Sequence, residues 1–201
     1  MKYKLFVSDF DGTLGKAPGV IEPETVAAIK EYQKKGGIFA ICTGRMFSSI
    51  RPICLNYGIK GIVISYQGAM INDIETGESL FSGGMDSKTA AEVAKKMLSY
   101  GITALADIDD VMYLQGESMY SDFYEAACKV RGVMTDDLVK TILEKNRTVA
   151  KIGGLCDPSR TAAITEDFNR EYGDRLIANN GAPIIVEVVN KKYDKKFSVE
   201  Y

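Results

Sequence analysis

No histidine occurs among the 201 residues. That absence removes Ser-His-Asp and Cys-His catalysis, HExxH zinc sites and imidazole acid–base chemistry. Any catalysis must therefore run on carboxylates, lysines, hydroxyls or a bound metal. Cysteine is scarce: Cys42, Cys54, Cys128 and Cys156 form no CxxC pair and sit inside apolar stretches, which predicts buried thiols in a reducing compartment rather than a disulfide framework. No run approaches the ~18 apolar residues of a membrane span, and the opening MKYKLFVSDFDGTL reaches acidic residues too soon for a signal peptide. With 25 Lys+Arg against 27 Asp+Glu, the formal charge is −2, so nothing electrostatic favours nucleic acid or a membrane surface as partner. GxGxxG and GxxxxGK[ST] are both missing, which disfavours dinucleotide and P-loop sites. A cytoplasmic protein is the expectation.

What is present is an ordinary globular composition, 46% apolar and 26% charged, with length for one to two domains. Lys4–Ser8, Ile38–Cys42 and Gly61–Ser65 are short apolar runs. They alternate with helical patterns over Glu22–Lys35 and Ser48–Tyr57, with Pro23 at a first helical turn and Gly36–Gly37 as a stop. This predicts an α/β fold with a Rossmann-like parallel sheet. A hairpin follows around Glu75–Glu78, then Gly83–Gly84 punctuate the chain. The pattern restarts as hairpin-like strands mixed with helices, the signature of an α+β unit. The expected organisation is a core at 1–83, an inserted α+β cap at 84–188 and a return segment at 189–201.

Two constellations carry chemistry. Asp9-Phe10-Asp11-Gly12-Thr13-Leu14 stands at the end of the first strand, where ligands bind in open α/β sheets. Carboxylates at i and i+2 can divide labour there, one attacking or ligating, the other moving a proton, while Gly12 permits the turn. A plain polar turn reads equally well from these residues alone. An EF-hand does not, because its sixth and twelfth positions would be Leu14 and Val20 instead of Gly and Glu. Thr43-Gly44-Arg45 ends the second strand. A hydroxyl, an accessible N–H and a guanidinium can cradle a phosphate; a helix cap beside a surface arginine is the alternative.

Together, DFDGTL at 9–14 and ICTGR at 41–45 resemble the haloacid dehalogenase superfamily. The wider layout, with ISYQGAMI at 64–71 and a large insertion, is similar to its Cof-type subfamily, although Gln67 stands where relatives carry Asn. The resemblance implies a Mg²⁺-dependent phosphatase acting on a small phosphorylated metabolite. In it Asp9 is the nucleophile forming an aspartyl-phosphate, and Asp11 is the general acid and base. Mg²⁺ is held by the Asp9 carboxylate and the Asp11 carbonyl, and the phosphoryl oxygens by Thr43 and Gly44 with Arg45 nearby. Lys195 takes the family's lysine position, although four lysines within 191–196 also read as a solvated surface run. The cap would close over the site and select the leaving group.

The family's final acidic motif, Gly-Asp with a following Asn-Asp, has no counterpart before Tyr201; Gly173-Asp174 lies in the insertion and does not fill the role. The resemblance thus implies a core lacking one edge, leaving an unpaired strand and apolar surface, which a homo-oligomer is one way to cover. It also keeps open a catalytically impaired fragment or a non-catalytic phosphate-binding remnant, and a phosphomutase sharing the nucleophile. Asp107–Asp110 reads as a hairpin turn, and Arg131 and Lys151 stand as cap cations able to face the site.

Overall fold

The computed structural model describes residues 2–17 and 19–201, and within it the apolar runs become strands. The chain divides into two units, Met1–Ser82 with Asp194–Tyr201, and Gly83–Tyr193.

In the first unit, β1 (Leu5–Ser8) leads into a small hairpin of β2 (Gly15–Ala17) and β3 (Val20–Ile21). Then follow α1 (Pro23–Lys34), β4 (Ile38–Cys42), α2 (Phe47–Tyr57), β5 (Ile62–Ser65), β6 (Met70–Asp73) and β7 (Ser79–Ser82). Pro23 sits in the first turn of α1, where its missing N–H costs nothing. The helix stops at Gly36, whose φ of +84° few L residues adopt, and at Gly37, where a β-carbon would lie 2.3 Å from the Tyr32 ring. The sheet order is β1-β4-β5-β6-β7. β1, β4 and β5 run parallel, with Ser8 opposite Ile41 and Cys42 opposite Ile64, while β6 and β7 return antiparallel. Phe10, Ile21, Ile29, Phe39, Ile41, Ile50 and Val63 pack as the core, each contributing about 1.5–3 kcal/mol by burial. β1 is an edge strand, and its Leu5 and Phe6 are 43% and 54% exposed. The parallel layer thus aligns the carboxyl ends of three strands, which is where the site lies.

The second unit comprises α3 (Ser87–Ser99), β8 (Thr103–Ile108), β9 (Val111–Gln115), α4 (Met119–Cys128), β10 (Val133–Met134) and α5 (Leu138–Lys145). It continues through β11 (Val149–Leu155), α6 (Pro158–Tyr172), β12 (Leu176–Ala182) and β13 (Ile185–Asn190). Its sheet, ordered β10-β9-β8-β11-β13-β12, is antiparallel except for β10 on β9. β13 runs to Asn190, whose Nδ2 donates to the Gly84 carbonyl at 2.8 Å, and Lys191 N–H donates to the Arg175 carbonyl. Residues 189–193, expected in the return segment, therefore belong to this unit. The chain re-enters the first unit at Asp194 and forms α7 (Lys195–Glu200).

A buried ionic cluster crosses this second sheet. Lys151 pairs in register with Asp107, and Glu187 stands opposite Gly153, two residues along β11; the period of two puts all three on one face. Lys151 Nζ donates to Glu187 Oε1 at 2.8 Å and to the Tyr124 hydroxyl at 2.9 Å, with Asp107 Oδ2 at 3.4 Å. Lys151 is 2% exposed, so its ammonium is a structural cation of this sheet, held by groups of its own unit. Arg131 is an exposed partner of Glu125. The expected Asp107–Asp110 turn narrows to Asp109 and Asp110, both with positive φ, because Asp107 lies inside β8.

Neither carboxylate oxygen of Asp107 finds a hydrogen bond among the described residues. Its burial pushes its pKa up to about 6, against the partial counter-effect of Lys151. The folded chain therefore holds this proton where the unfolded chain has lost it. Stability from this group is full below about pH 4 and is lost as pH rises toward 6, by roughly 2–3 kcal/mol. Asp107→Asn should remove that loss. Chemical denaturation from pH 4 to 7 should show the variant gaining on the parent as pH rises; a difference constant with pH would contradict this.

Candidate active site

The turn after β1 is built on backbone bonds. Gly15 N–H donates to the Phe10 carbonyl at 2.8 Å and Gly12 N–H to the Gly15 carbonyl at 3.1 Å, while Gly12 takes a φ of +75°. Phe10 is fully buried. It anchors the turn so that Asp9 and Asp11, on either side, are both directed away from the core. The second constellation follows β4, which pairs with β1 and β5. Thr43 is 1% exposed; its N–H donates to the Ile64 carbonyl, and its Oγ1 accepts the Arg45 N–H at 3.1 Å. That local bond fixes the turn at Gly44.

The cations come from distant sequence. Arg45 makes a two-pronged pair with Asp11, Nε to Oδ2 at 2.9 Å and Nη2 to Oδ1 at 2.8 Å, and its guanidinium lies 5.2 Å from the Phe10 ring centroid. Lys195 donates to Asp9 Oδ1 at 2.6 Å across 186 positions of sequence. The lysine run is therefore not merely a solvated stretch, since its third member is delivered by α7. That helix is started by Asp194, whose Oδ1 accepts the Phe197 N–H at 2.7 Å. Phe197 and Tyr201 also pack their rings at a tilt against Phe81 of β7, with centroids 5.4 and 4.9 Å away.

All six site residues of the sequence reading thus come from neighbouring turns and α7 of one unit. Asp9, Asp11 and Lys195 are 41–58% exposed by side chain. Pairs so exposed contribute about 0.2–1 kcal/mol each, weak enough for an incoming phosphoryl oxygen or cation to displace. The nearby thiol offers no competing nucleophile: burial pushes Cys42 up to about 11, so it stays protonated at neutral pH.

One element beyond those six emerges. After β5 the chain turns through Tyr66, Gln67 and Gly68 with φ of +52°, +60° and +120°. Left-handed backbone at two non-glycine residues costs on the order of 1–3 kcal/mol each and persists only where the surroundings enforce it. Here they do: Tyr66 N–H donates to the Arg45 carbonyl, Gln67 N–H to the Thr43 carbonyl, and Ser198 Oγ to the Gly68 carbonyl at 2.6 Å. A β-carbon at Gly68 would lie 2.3 Å from the Asp194 carbonyl oxygen. This turn ties the Thr43–Arg45 loop to the base of α7. Its sequence signal was the ISYQGAMI segment at 64–71, marked by resemblance alone, with Gln67 in place of the relatives' Asn.

Among the described residues no group of three or more His, Cys, Asp or Glu gathers as a metal site. The oxygen donors of the Asp9–Asp11 turn are hard, and they suit Mg²⁺, which retains several waters and needs only one or two carboxylates.

Comparisons with known proteins fit this geometry. The family model for haloacid dehalogenase-like hydrolases matches residues 6–201. HMP-PP phosphatase of Serratia proteamaculans is 30% identical over 91 residues, 45% of this chain and 33% of that protein. Phosphatase YwpJ of Bacillus subtilis is 33% identical over 90 residues, 45% and 31% of the respective chains. The matched stretches therefore span about a third of these curated relatives. A crystal structure of a Thermotoga maritima protein superimposes with a TM-score of 0.84 at 22% identity, covering 98% of this chain and 73% of that one.

Proposed function

The chain belongs to the haloacid dehalogenase-like hydrolases, and from that premise we propose that it hydrolyses a small phosphate monoester through an aspartyl-phosphate on Asp9, with Mg²⁺ as cofactor. The observation that carries the reading is the pairing of two strand-end carboxylates with two cations, Lys195 on Asp9 and Arg45 on Asp11, beside the Thr43–Gly44 turn.

The chemistry follows from charge. Carboxylate and phosphate dianion repel, so cations and donors must compensate before attack is feasible. Lys195 offsets charge on the nucleophile, while the Thr43 hydroxyl and Gly44 N–H donate to phosphoryl oxygens. Arg45 can pass from Asp11 to the incoming phosphoryl group, which frees the Asp11 carboxyl to carry a proton. An Asp9 oxygen then bonds to phosphorus as the ester P–O bond breaks, and Asp11 gives its proton to the leaving oxygen. In the second half Asp11 takes a proton from water as the water oxygen bonds to phosphorus. The bond from phosphorus to Asp9 breaks, restoring the carboxylate and releasing inorganic phosphate. One acid–base residue serves both halves. Mg²⁺, held by the Asp9 carboxylate and the Asp11 carbonyl, supplies further positive charge that lowers the repulsion.

The reading predicts Mg²⁺-dependent phosphate release from p-nitrophenyl phosphate, and a fall in kcat/KM of roughly 10²-fold or more in Lys195→Met, with the melting temperature preserved. Equal release in the presence of a chelator, or an undiminished Lys195→Met enzyme, would contradict it.

A further inference from the structure

We propose that Gln67 is a further phosphoryl-binding residue of this site, its carboxamide supplying an N–H donor beside Gly44. The inference rests on the reading of Thr43–Gly44–Arg45 as the phosphoryl cradle, and adds a side chain from a third strand end.

Three observations carry it. First, the carboxamide lies against the cradle: a β-carbon built on Gly44 would stand 2.4 Å from Gln67 Nε2 and 3.1 Å from its Cδ. Glycine at position 44 is what allows the amide to approach the loop backbone. Second, the position is enforced. Gln67 keeps its left-handed backbone because its own N–H is spent on the Thr43 carbonyl and its neighbours are tied to Arg45 and Ser198. Strain held in place by three external bonds is spent on presenting one side chain. Third, that side chain is half-buried yet makes no hydrogen bond to any described residue. A donor left open next to a hydroxyl and a backbone N–H is complementary to an anion's oxygens. Unlike Arg45 and Lys195, whose charges are occupied by Asp11 and Asp9, it needs to leave no partner in order to bind.

The test is calorimetric titration of inorganic phosphate, with Mg²⁺ present, into the whole chain and three variants. Gln67→Met keeps the volume and removes the donor; it should weaken phosphate about tenfold, equivalent to about 1.4 kcal/mol. Gln67→Glu is nearly isosteric and puts a negative charge at the cradle, so it should weaken phosphate more than Gln67→Met does. A purely structural role predicts no such order. If the methionine variant melts early, the glutamate variant carries the comparison at matched melting temperature. Thr43→Ala separates the two levels of the argument. Weakening by Thr43→Ala with wild-type affinity in both Gln67 variants would overturn the role of Gln67 and leave the cradle standing. No phosphate binding by the unmodified chain would overturn the cradle and this inference with it.

Discussion

Asp9→Asn is expected to abolish phosphate release, lowering kcat by on the order of 10³-fold or more, equivalent to about 4 kcal/mol of barrier. The amide keeps the shape of the carboxylate but is neutral and a poor nucleophile, so the first P–O bond cannot form at a useful rate. The fold should be indifferent. The Lys195–Asp9 pair is half-exposed and worth at most about 1 kcal/mol, so the melting temperature should move by only a few degrees. Phosphate itself should bind as well as before or more tightly, because the substitution removes a negative charge facing it while Thr43, Gly44 and Lys195 remain. Lost turnover with retained or improved phosphate affinity separates a nucleophile from a residue that merely holds the site together. Activity that survives, or is lost only together with binding and folding, would count against the assignment.

The second large effect lies in the other unit. Lys151→Met should destabilise the chain by about 3–5 kcal/mol, because it strands the Asp107 and Glu187 carboxylates in a dry interior with no cation. Burial alone would lower the Lys151 ammonium, but Glu187, Tyr124 and Asp107 outweigh it and hold the group above its ordinary range, which favours the charged form. The loss should be read as a lower midpoint in urea. Adding Asp107→Asn and Glu187→Gln to Lys151→Met should recover much of the stability, since removing all three charges also removes their desolvation. A single variant as stable as the parent, or a triple variant no better than the single one, would show that the cluster is not coupled as its distances imply.

These two residues mark what could and could not be read from sequence. β1, β4 and β5 were legible because each is a short unbroken apolar run, and α1 because Pro23 and Gly36–Gly37 punctuate it. The two carboxylates and the Thr-Gly-Arg turn were legible because strand ends locate ligands in such sheets. The β2–β3 hairpin was missed, since strands of three and two residues leave no periodic trace. The return helix α7 was masked by lysines, though Asp194 three residues before Phe197 was its start signal. The buried cluster did leave a trace: Asp107, Lys151 and Glu187 are each a lone charge inside an apolar strand. Only the register of β8, β11 and β13, which one-dimensional patterning does not contain, shows that the three charges meet. Likewise, the turn at Tyr66–Gly68 depends on backbone bonds to residues 20 or more positions away in one direction and on a side-chain hydroxyl 130 positions away in the other.

The central claim is that phosphorus becomes bonded to Asp9, and chemical trapping tests it most directly. The chain would be quenched during turnover of p-nitrophenyl phosphate with Mg²⁺ and treated with borohydride, which reduces an acyl phosphate to an alcohol. Peptide mass spectrometry should then find homoserine at position 9, dependent on substrate and absent from Asp9→Asn. Aspartate recovered unchanged at position 9 under conditions of measurable turnover, or reduction at another carboxylate, would contradict it.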